Sequence, residues 1–315
     1  MTKEYRYYQI DSFTKDQFAG NPAGVIVNAD GLSEAEMQKI AREVNNSETA
    51  FIFTSAQSEY DVHVRFFTPA VEVPICGHAT IAAHYARAIE MQLQSTRVWQ
   101  KTGAGILPVD VVRENSDYQI VMEQGPIEFG PVIEGGNKVE LLAALNLSEE
   151  DLIAHVPVQI VSTGHSKVMI PLKSKDKMNR ILPHSEALSR LSKTIRCNGY
   201  YVFTLHPDND VLVEGRMFAP AIGINEDPVT GNANGPLGPY LIRHRLVHPS
   251  ESSFRFTAKQ GEAMGRPGIM EVDVQLADGN PVAVRVKGQA VIVYQTKFIL
   301  SSRLEAESDE MDCDE

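Results

Sequence analysis

The chain has 315 residues, 43% of them hydrophobic and 22% charged, with a formal net charge of −12. That length holds two domains of about 150 residues with ordinary cores. No apolar run reaches the roughly 20 residues that span a bilayer, and no basic cluster points to nucleic acid. Seven acids and no bases lie in Leu304–Glu315, so without them the charge falls from −12 to −5. This composition predicts a disordered, solubilising tail over 304–315, with an interaction tail as the other reading. Three cysteines, Cys76, Cys197 and Cys313, are too few and too scattered for a disulfide framework or a zinc site. They fit a cytoplasmic protein.

The charged, alternating N-terminus predicts a strand over Tyr5–Phe13 rather than a signal peptide. A Gly/Pro turn leads to a second strand at Gly24–Asn28. Apolar residues at Leu32, Met37, Ile40, Ala41 and Val44 have helical spacing, opened by a Ser33/Glu36 capping box. Two strands follow, in SETAFIFT and VHVRFFTP, and then a helix in CGHATIAAHYARAIEM. VWQKTGAGILPVDVVRE and YQIVMEQG close the first half as strands. After a Gly/Pro/Glu seam near Gly125–Gly136 the order repeats. VQIVSTGHSKVMIPL parallels the opening strand and turn, SEALSRLSKTI the first helix, and NGYYVFTL the strand after it. RMFAPAI precedes a Gly turn, and GPLGPYLIRHRL is the second helix. FTAKQGEAMGRPGIMEVDVQL and VRVKGQAVIVYQTKF supply the last strands. The pattern is α+β with two helices per half.

One phrase occurs twice. Arg65, Phe67, Pro69, Ala70 and Gly77 match Arg216, Phe218, Pro220, Ala221 and Gly231, with three extra residues in the second copy. The repeat predicts two pseudo-symmetric units with a cleft between them. Both copies end in a Gly turn before a helix, PICGHAT and EDPVTGNAN. Free N–H groups and the helix dipole there favour an anion, so two such turns facing each other make a cradle for a carboxylate.

The polar residues of the turns have two readings each. His78 is a helix-cap histidine or a site residue. Asp227 is a turn aspartate or a site carboxylate, and Cys76 a small buried apolar residue or a nucleophile. Glu48, entering an apolar strand, is a solvated loop acid or a carboxylate of raised pKa able to move protons. His244 and His248 lack a third metal ligand. No dinucleotide, phosphate-loop or serine-nucleophile motif is present, so no cofactor and no metal are expected.

The strings DSFTKDQFAGNPAGVIV, SETAFIF, RFFTPAVEVPICGHATIAAHY, TGHSKVMIPL, MFAPAIGINEDPVTGNANGP and KQGEAMGRPG resemble the phenazine-biosynthesis (PhzF-like) family of isomerases, especially its YddE-type members. The resemblance spans nearly all the chain except the tail. It implies a diaminopimelate epimerase-like fold, two domains each with a barrel-like sheet around a central helix. It implies domains at 1–125 and 126–285, a terminal strand near 286–300 returning to the first, and a homodimer. It places the catalytic acid/base on Glu48, the active-site His on His78 and the Asp on Asp227. Substrate-binding glycines fall on Gly77 and Gly231, and Asn232 stands where the phenazine enzyme has Ser. Related epimerases use one Cys ahead of each Gly turn. Here the pair is Cys76 and Thr230, and Thr offers no thiolate.

The expected activity is therefore a cofactor-independent isomerase acting on a small carboxylate, with Glu48 as the proton shuttle. An amino-acid epimerase or racemase, working with one base or with Glu48 and Cys76, and a catalytically weak metabolite-binding protein, are the alternatives.

Overall fold

A computed structural model describes residues 2–206 and 210–301. The acidic tail expected at 304–315 lies outside the described residues. The first half comprises β1 (Thr2–Ser12), β2 (Asn21–Ile26), α1 (Glu34–Val44), β3 (Thr49–Thr54), β4 (Val62–Phe67) and a short β5 (Glu72–Val73). It continues with α2 (Gly77–Met91), β6 (Thr96–Thr102), β7 (Gly105–Glu114) and β8 (Asp117–Glu123). The second half comprises β9 (Ile127–Val132), α3 (Gly135–Ala144), β10 (Gln159–Thr163), β11 (Ser166–Pro171), α4 (Lys175–Asn179) and α5 (Ser185–Ile195). Then follow β12 (Tyr200–Leu205), β13 (Val213–Ala219), β14 (Ile224–Asp227), α6 (Gly231–Arg243), β15 (Ser253–Gln260), β16 (Gly268–Ala277), β17 (Asn280–Gly288) and β18 (Ala290–Ser301).

Strand pairing shows the pseudo-symmetry directly. Neighbours run β18–β1–β2–β3–β4–β6–β7–β8 in one unit. They run β9–β10–β11–β12–β13–β15–β16–β17 in the other. The parallel pairs fall at the same steps, β2 with β3 and β4 with β6, then β11 with β12 and β13 with β15. The other pairs of both series are antiparallel. β17 pairs with β8 and so joins the two sheets.

Each sheet curls around one helix. α2 touches β1, β2, β3, β7, β8 and β18, and α6 touches β10, β11, β15, β16 and β17. These helices are almost wholly buried, and their apolar side chains belong to one continuous core that runs through both units. Two smaller clusters sit outside the curls. Met37, Ile40 and Ala41 of α1 meet Tyr5, Tyr7, Phe51 and Phe67 on the first sheet. Leu141, Leu142, Leu188 and Leu191 of α3 and α5 meet Val168, Ile170, Tyr200 and Phe218 on the second.

Local signals explain most of the helices. The Ser33/Glu36 capping box opens α1, and Asn45 closes it in the left-handed conformation. The expectation of two helices per half fails in the second half, where α3 and α4 are additional. Neither has a counterpart in the first half, so the repeat carries no trace of them. α6 starts at Gly231, four residues before the expected Gly235, and runs through Pro236 and Pro239. A proline inside a helix costs about 3 kcal/mol; here full burial of the segment Ala233–Leu241 outweighs it. The stretch 125–136 is not merely a seam, because Ile127–Val132 pairs with β10.

The loop between β1 and β2 straps the units together. Ile269 N–H donates to the Phe13 carbonyl at 2.7 Å and Gly20 N–H to the Pro267 carbonyl at 3.0 Å. Arg266 donates to the carbonyls of Ala19 and Gly20 and pairs with Asp11 at 2.6 Å. Asp11 is 2% exposed, and its carboxylate also accepts from Phe18 N–H at 2.7 Å. Removing one partner of such a pair leaves the other desolvated. Asp11→Ala is expected to lower the unfolding free energy by about 1–3 kcal/mol, read as a lower urea midpoint at unchanged slope. A change within error would show that the strap contributes nothing.

Candidate active site

The two copies of the repeated phrase build the two walls of one cavity. In the first, Arg65 lies over the Phe67 ring and grips Glu72 with two hydrogen bonds of 2.7 and 2.6 Å. In the second, Arg216 lies over Phe218 and grips Glu226 with two of 2.8 Å. Such planar, bidentate pairs fix direction as well as distance. Each pins a short return strand, β5 or β14, from which the chain enters its Gly turn. The repeated arginines are thus scaffold, not site.

Past the turn, Cys76 and Thr230 occupy the position before α2 and α6, both with extended backbone and neither capping its helix with a side chain. The first N–H groups of a helix have no acceptor within it. At Gly77 and Gly231 they line a cavity of about 440 Å³, together with His78 and Asn232. Packing does not demand either glycine. A Cβ on Gly77 would meet Met122 at 3.7 Å, and one on Gly231 would meet Phe13 and Val286 at 3.7 Å, which are ordinary contacts. What the glycines leave open is backbone at two helix starts, where the helix dipoles place partial positive charge.

Glu48, at the entrance to β3, lines the same cavity with Ser47. Its Oε2 lies 3.3 Å from His78 Nε2, and the Ser47 hydroxyl is 3.1 Å from the same nitrogen. His78 Nδ1 lies 3.4 Å from Cys76 Sγ. The His78 carbonyl accepts from Ser12 Oγ at 2.8 Å, which anchors the first turn of α2 to β1. Burial pushes the Cys76 thiol well above its ordinary pKa, and the nearby Glu48 carboxylate adds to the effect. Glu48, Cys76 and His78 are also the group among the described residues whose ligand atoms lie close enough to hold a metal ion, all within 4.8 Å. His78 lies between the other two, 3.3 Å from the Glu48 carboxylate and 3.4 Å from the Cys76 sulfur.

Asp227 ends β14 on the opposite wall. Thr230 Oγ1 donates to its Oδ2, and Asn21 Nδ2 from the other unit donates to its Oδ1 at 2.8 Å and to the Val229 carbonyl at 2.9 Å. Gln260 completes the network. Its amide donates to Thr230 Oγ1 and to the Asp227 carbonyl, and its oxygen accepts from Thr230 N–H. Desolvation raises the Asp227 pKa, opposed by the charge of His78 and by these hydrogen bonds.

The structure therefore brings Glu48, Cys76, Gly77, His78, Asp227, Thr230, Gly231 and Asn232 around one cavity. It adds residues that the sequence reading passed over: Asn21 and Gln260 behind the site, and His165, Lys167, Arg196 and Asn198 along its wall. His244 is not a metal ligand here. Its Nε2 lies 2.8 Å from Gln159 Oε1 and its ring packs on Tyr240.

Residues 10–296 match the phenazine biosynthesis-like protein family (PhzC-PhzF). The chain is 63% identical to an uncharacterized isomerase of Clostridium acetobutylicum, over 96% of this chain and 100% of the other. It is 47% identical to the uncharacterized isomerase YddE of Escherichia coli, over 93% of this chain and 98% of the other. It is 31% identical to the trans-2,3-dihydro-3-hydroxyanthranilate isomerase of Pseudomonas aeruginosa, over 90% and 95%. Among solved structures, a Bacillus anthracis phenazine biosynthesis protein of the PhzF family superposes with a TM-score of 0.84 at 31% identity, covering 95% of this chain and 100% of that one. The fold alone is shared with a hydroxyproline epimerase of Agrobacterium vitis, at a TM-score of 0.62 and 10% identity, over 95% and 92%.

A thiol held protonated is a poor nucleophile. Cys76 is expected to react with iodoacetamide at pH 8 at least tenfold more slowly than free glutathione. Replacing Glu48 by Gln removes a negative charge from beside the sulfur, so the thiol pKa falls and alkylation speeds up roughly threefold or more. Peptide mass spectrometry over a time course reads both rates. Alkylation that slows in Glu48→Gln would refute the electrostatic coupling.

Proposed function

The chain belongs to the phenazine biosynthesis-like protein family, and from that premise we propose a cofactor-independent isomerase in which Glu48 moves a proton on a small carboxylate. The family membership makes the chain an isomerase; the residue roles and the substrate class are the proposal. One observation carries it. The Glu48 carboxylate lies 3.3 Å from His78 in a cavity lined by two uncapped helix starts, with Asp227 held by Thr230 and Asn21 on the opposite wall.

In this reading the substrate carboxylate accepts from the N–H groups of Gly77 and Gly231. Glu48 takes a proton from a neighbouring carbon, and the electron pair of that C–H bond enters the conjugated system of the substrate. The protonated Glu48 then returns the proton to a second carbon of that system, so the product is an isomer and the enzyme is restored. His78 and Asp227 hold polar groups of the substrate, and Asn232 and Thr230 complete the wall. Proton transfer by a placed carboxylate contributes about 10²–10⁴-fold. The two units, 1–125 with the terminal strand and 126–285, act as domains that enclose the substrate. β18 lying along β1 supports that assignment of the terminal strand. A homodimer working in the cytoplasm completes the reading. No helix among the described residues is long and apolar enough to cross a membrane.

Two features weigh against an epimerase using two thiol-like groups. Burial and Glu48 hold the Cys76 thiol protonated, and the Thr230 hydroxyl is committed to Asp227 and Gln260. The substrate printed in the name of the Pseudomonas relative, trans-2,3-dihydro-3-hydroxyanthranilate, is one member of the fitting class of cyclic, amino-acid-like carboxylates.

The test is incubation with a panel of such acids, that compound included, in deuterated water. Wild type is expected to isomerise at least one and to leave deuterium on carbon. Glu48→Gln should lose at least ~10²-fold of that rate, and Cys76→Ala should keep most of it. Loss of activity in Cys76→Ala with survival in Glu48→Gln would turn the assignment to the epimerase. A wild type that binds acids and neither isomerises them nor exchanges a proton would be a binding protein.

A further inference from the structure

The equivalence of the two units extends to the loop that carries Glu48. α1 and α5 both end on a residue in the left-handed conformation, Asn45 and Arg196. Three residues later stands Glu48 in one unit and Gly199 in the other, each directly before a strand, β3 or β12. Their carbonyls do the same work. The Glu48 carbonyl accepts from Gly24 N–H at 3.2 Å, and the Gly199 carbonyl accepts from Val168 N–H at 2.8 Å. Gly24 and Val168 begin the matching parallel pairings, to Thr49 and Tyr200. Gly199 is therefore the pseudo-symmetric partner of Glu48, and it has no side chain.

Lys167 fills that space. A Cβ on Gly199 would overlap Lys167 Cδ and stand 2.8 Å from its Cε. The lysine stem thus lies where the stem of a second glutamate would have begun, and Lys167 lines the same cavity as Glu48, Gly77 and Gly231. Its ammonium donates to the Ser166 carbonyl at 3.2 Å. No carboxylate pairs with it among the described residues, so two of its three N–H donors are left over. Arg196 and Asn198 line the same wall. Burial pushes the Lys167 ammonium down, with Cys197 and Asp227 pulling the other way. His165 beside it is lowered by burial and then by the Lys167 charge, which keeps that ring neutral near pH 7. A cation held partly out of water without a counter-ion is costly, and an anion arriving in the cavity relieves that cost.

We infer that Lys167 anchors a second anionic group of the substrate, so that the substrate class is a small acid carrying two anionic groups, one at the helix starts and one at the ammonium. The inference rests on the helix-start cradle proposed above for the first carboxylate. It assigns the two walls different tasks. The wall of Glu48 moves the proton, and the wall of Lys167 reads the far end of the molecule.

Matched flexible acids test it. The probes are the α,ω-dicarboxylates from succinate to pimelate and the monocarboxylates of equal length, titrated by calorimetry at low salt. At least one dicarboxylate is expected to bind tenfold or more tightly than its monocarboxylate. Lys167→Ala should erase that advantage while changing monocarboxylate affinity less than threefold, and Lys167→Arg should keep part of it. Gly199→Ala, which displaces the lysine stem and leaves the charge in place, should also lose it; circular dichroism verifies that each variant is folded. A dicarboxylate advantage that survives Lys167→Ala, or no advantage in wild type, overturns the inference and leaves the cradle standing. Absence of binding by every acid overturns both.

Discussion

Two buried helix starts without caps are the constraint around which this molecule is organised. Forgoing a cap costs about 1 kcal/mol per helix, and here the position before α6 is a threonine, a residue well able to cap. Its hydroxyl is instead turned to Asp227, and Gln260 holds it there by taking up both the hydroxyl and the backbone N–H. At α2 the position is Cys76, whose thiol is a weak partner for an N–H. In the proposed reading the N–H groups of Gly77 and Gly231 are thereby kept for the substrate carboxylate. The arginine clamps on Glu72 and Glu226 serve the same end, because they set the angle at which each chain enters its turn.

Symmetry supplies the cradle, and departures from it supply the chemistry. Glycine stands at the start of both central helices, so in the proposed reading a substrate anion would meet equivalent donors from both sides. Three of the positions that line the cavity break the pattern. Cys76 faces Thr230, His78 faces Asn232, and Glu48 faces Gly199. A site with matched acid/base groups on both faces suits removal and return of a proton across one carbon. In the proposed reading Glu48 alone moves the proton, with Asp227 held by Thr230 and Asn21, which suits return along the same face of a conjugated system. The asymmetry at 48 and 199 also makes room for Lys167, which would collide with any side chain at 199.

How much of this the sequence carries depends on the range of each interaction. The repeated phrase, the capping box at Ser33 and the two Gly turns are local patterns, and the elements they predict are present. α3 and α4 lack a counterpart in the first half, so reasoning from the repeat passes over them, although Leu141, Leu142 and Leu145 mark an apolar helical face. The prolines of α6 hide its first turn, since propensity argues for a break that burial overrides. Asn21 meets Asp227 across 206 positions, and no spacing rule reaches that far. Lys167 had a local clue in TGHSKVMIPL, but its meaning depends on Gly199, which lies 32 positions away, just before β12. Arg65 and Arg216 teach the reverse lesson. Their repetition draws attention, yet both are spent on carboxylates that shape turns.

The strap between the units links enclosure of the site to its electrostatics. Asp227 belongs to the second unit, but one of its oxygens is held by Asn21 of the first, at the start of β2. At the other end of the same loop, Asp11 pairs with Arg266 of the second unit. A separation of the units large enough to admit a substrate through this edge would break both contacts together and let water reach Asp227. Desolvation is the main cause of the raised Asp227 pKa, and the Asn21 hydrogen bond works against it. The contacts at the two ends of the loop 13–20 thus join the two units where Asp227 is desolvated and oriented, beside the cavity that holds Glu48 and His78.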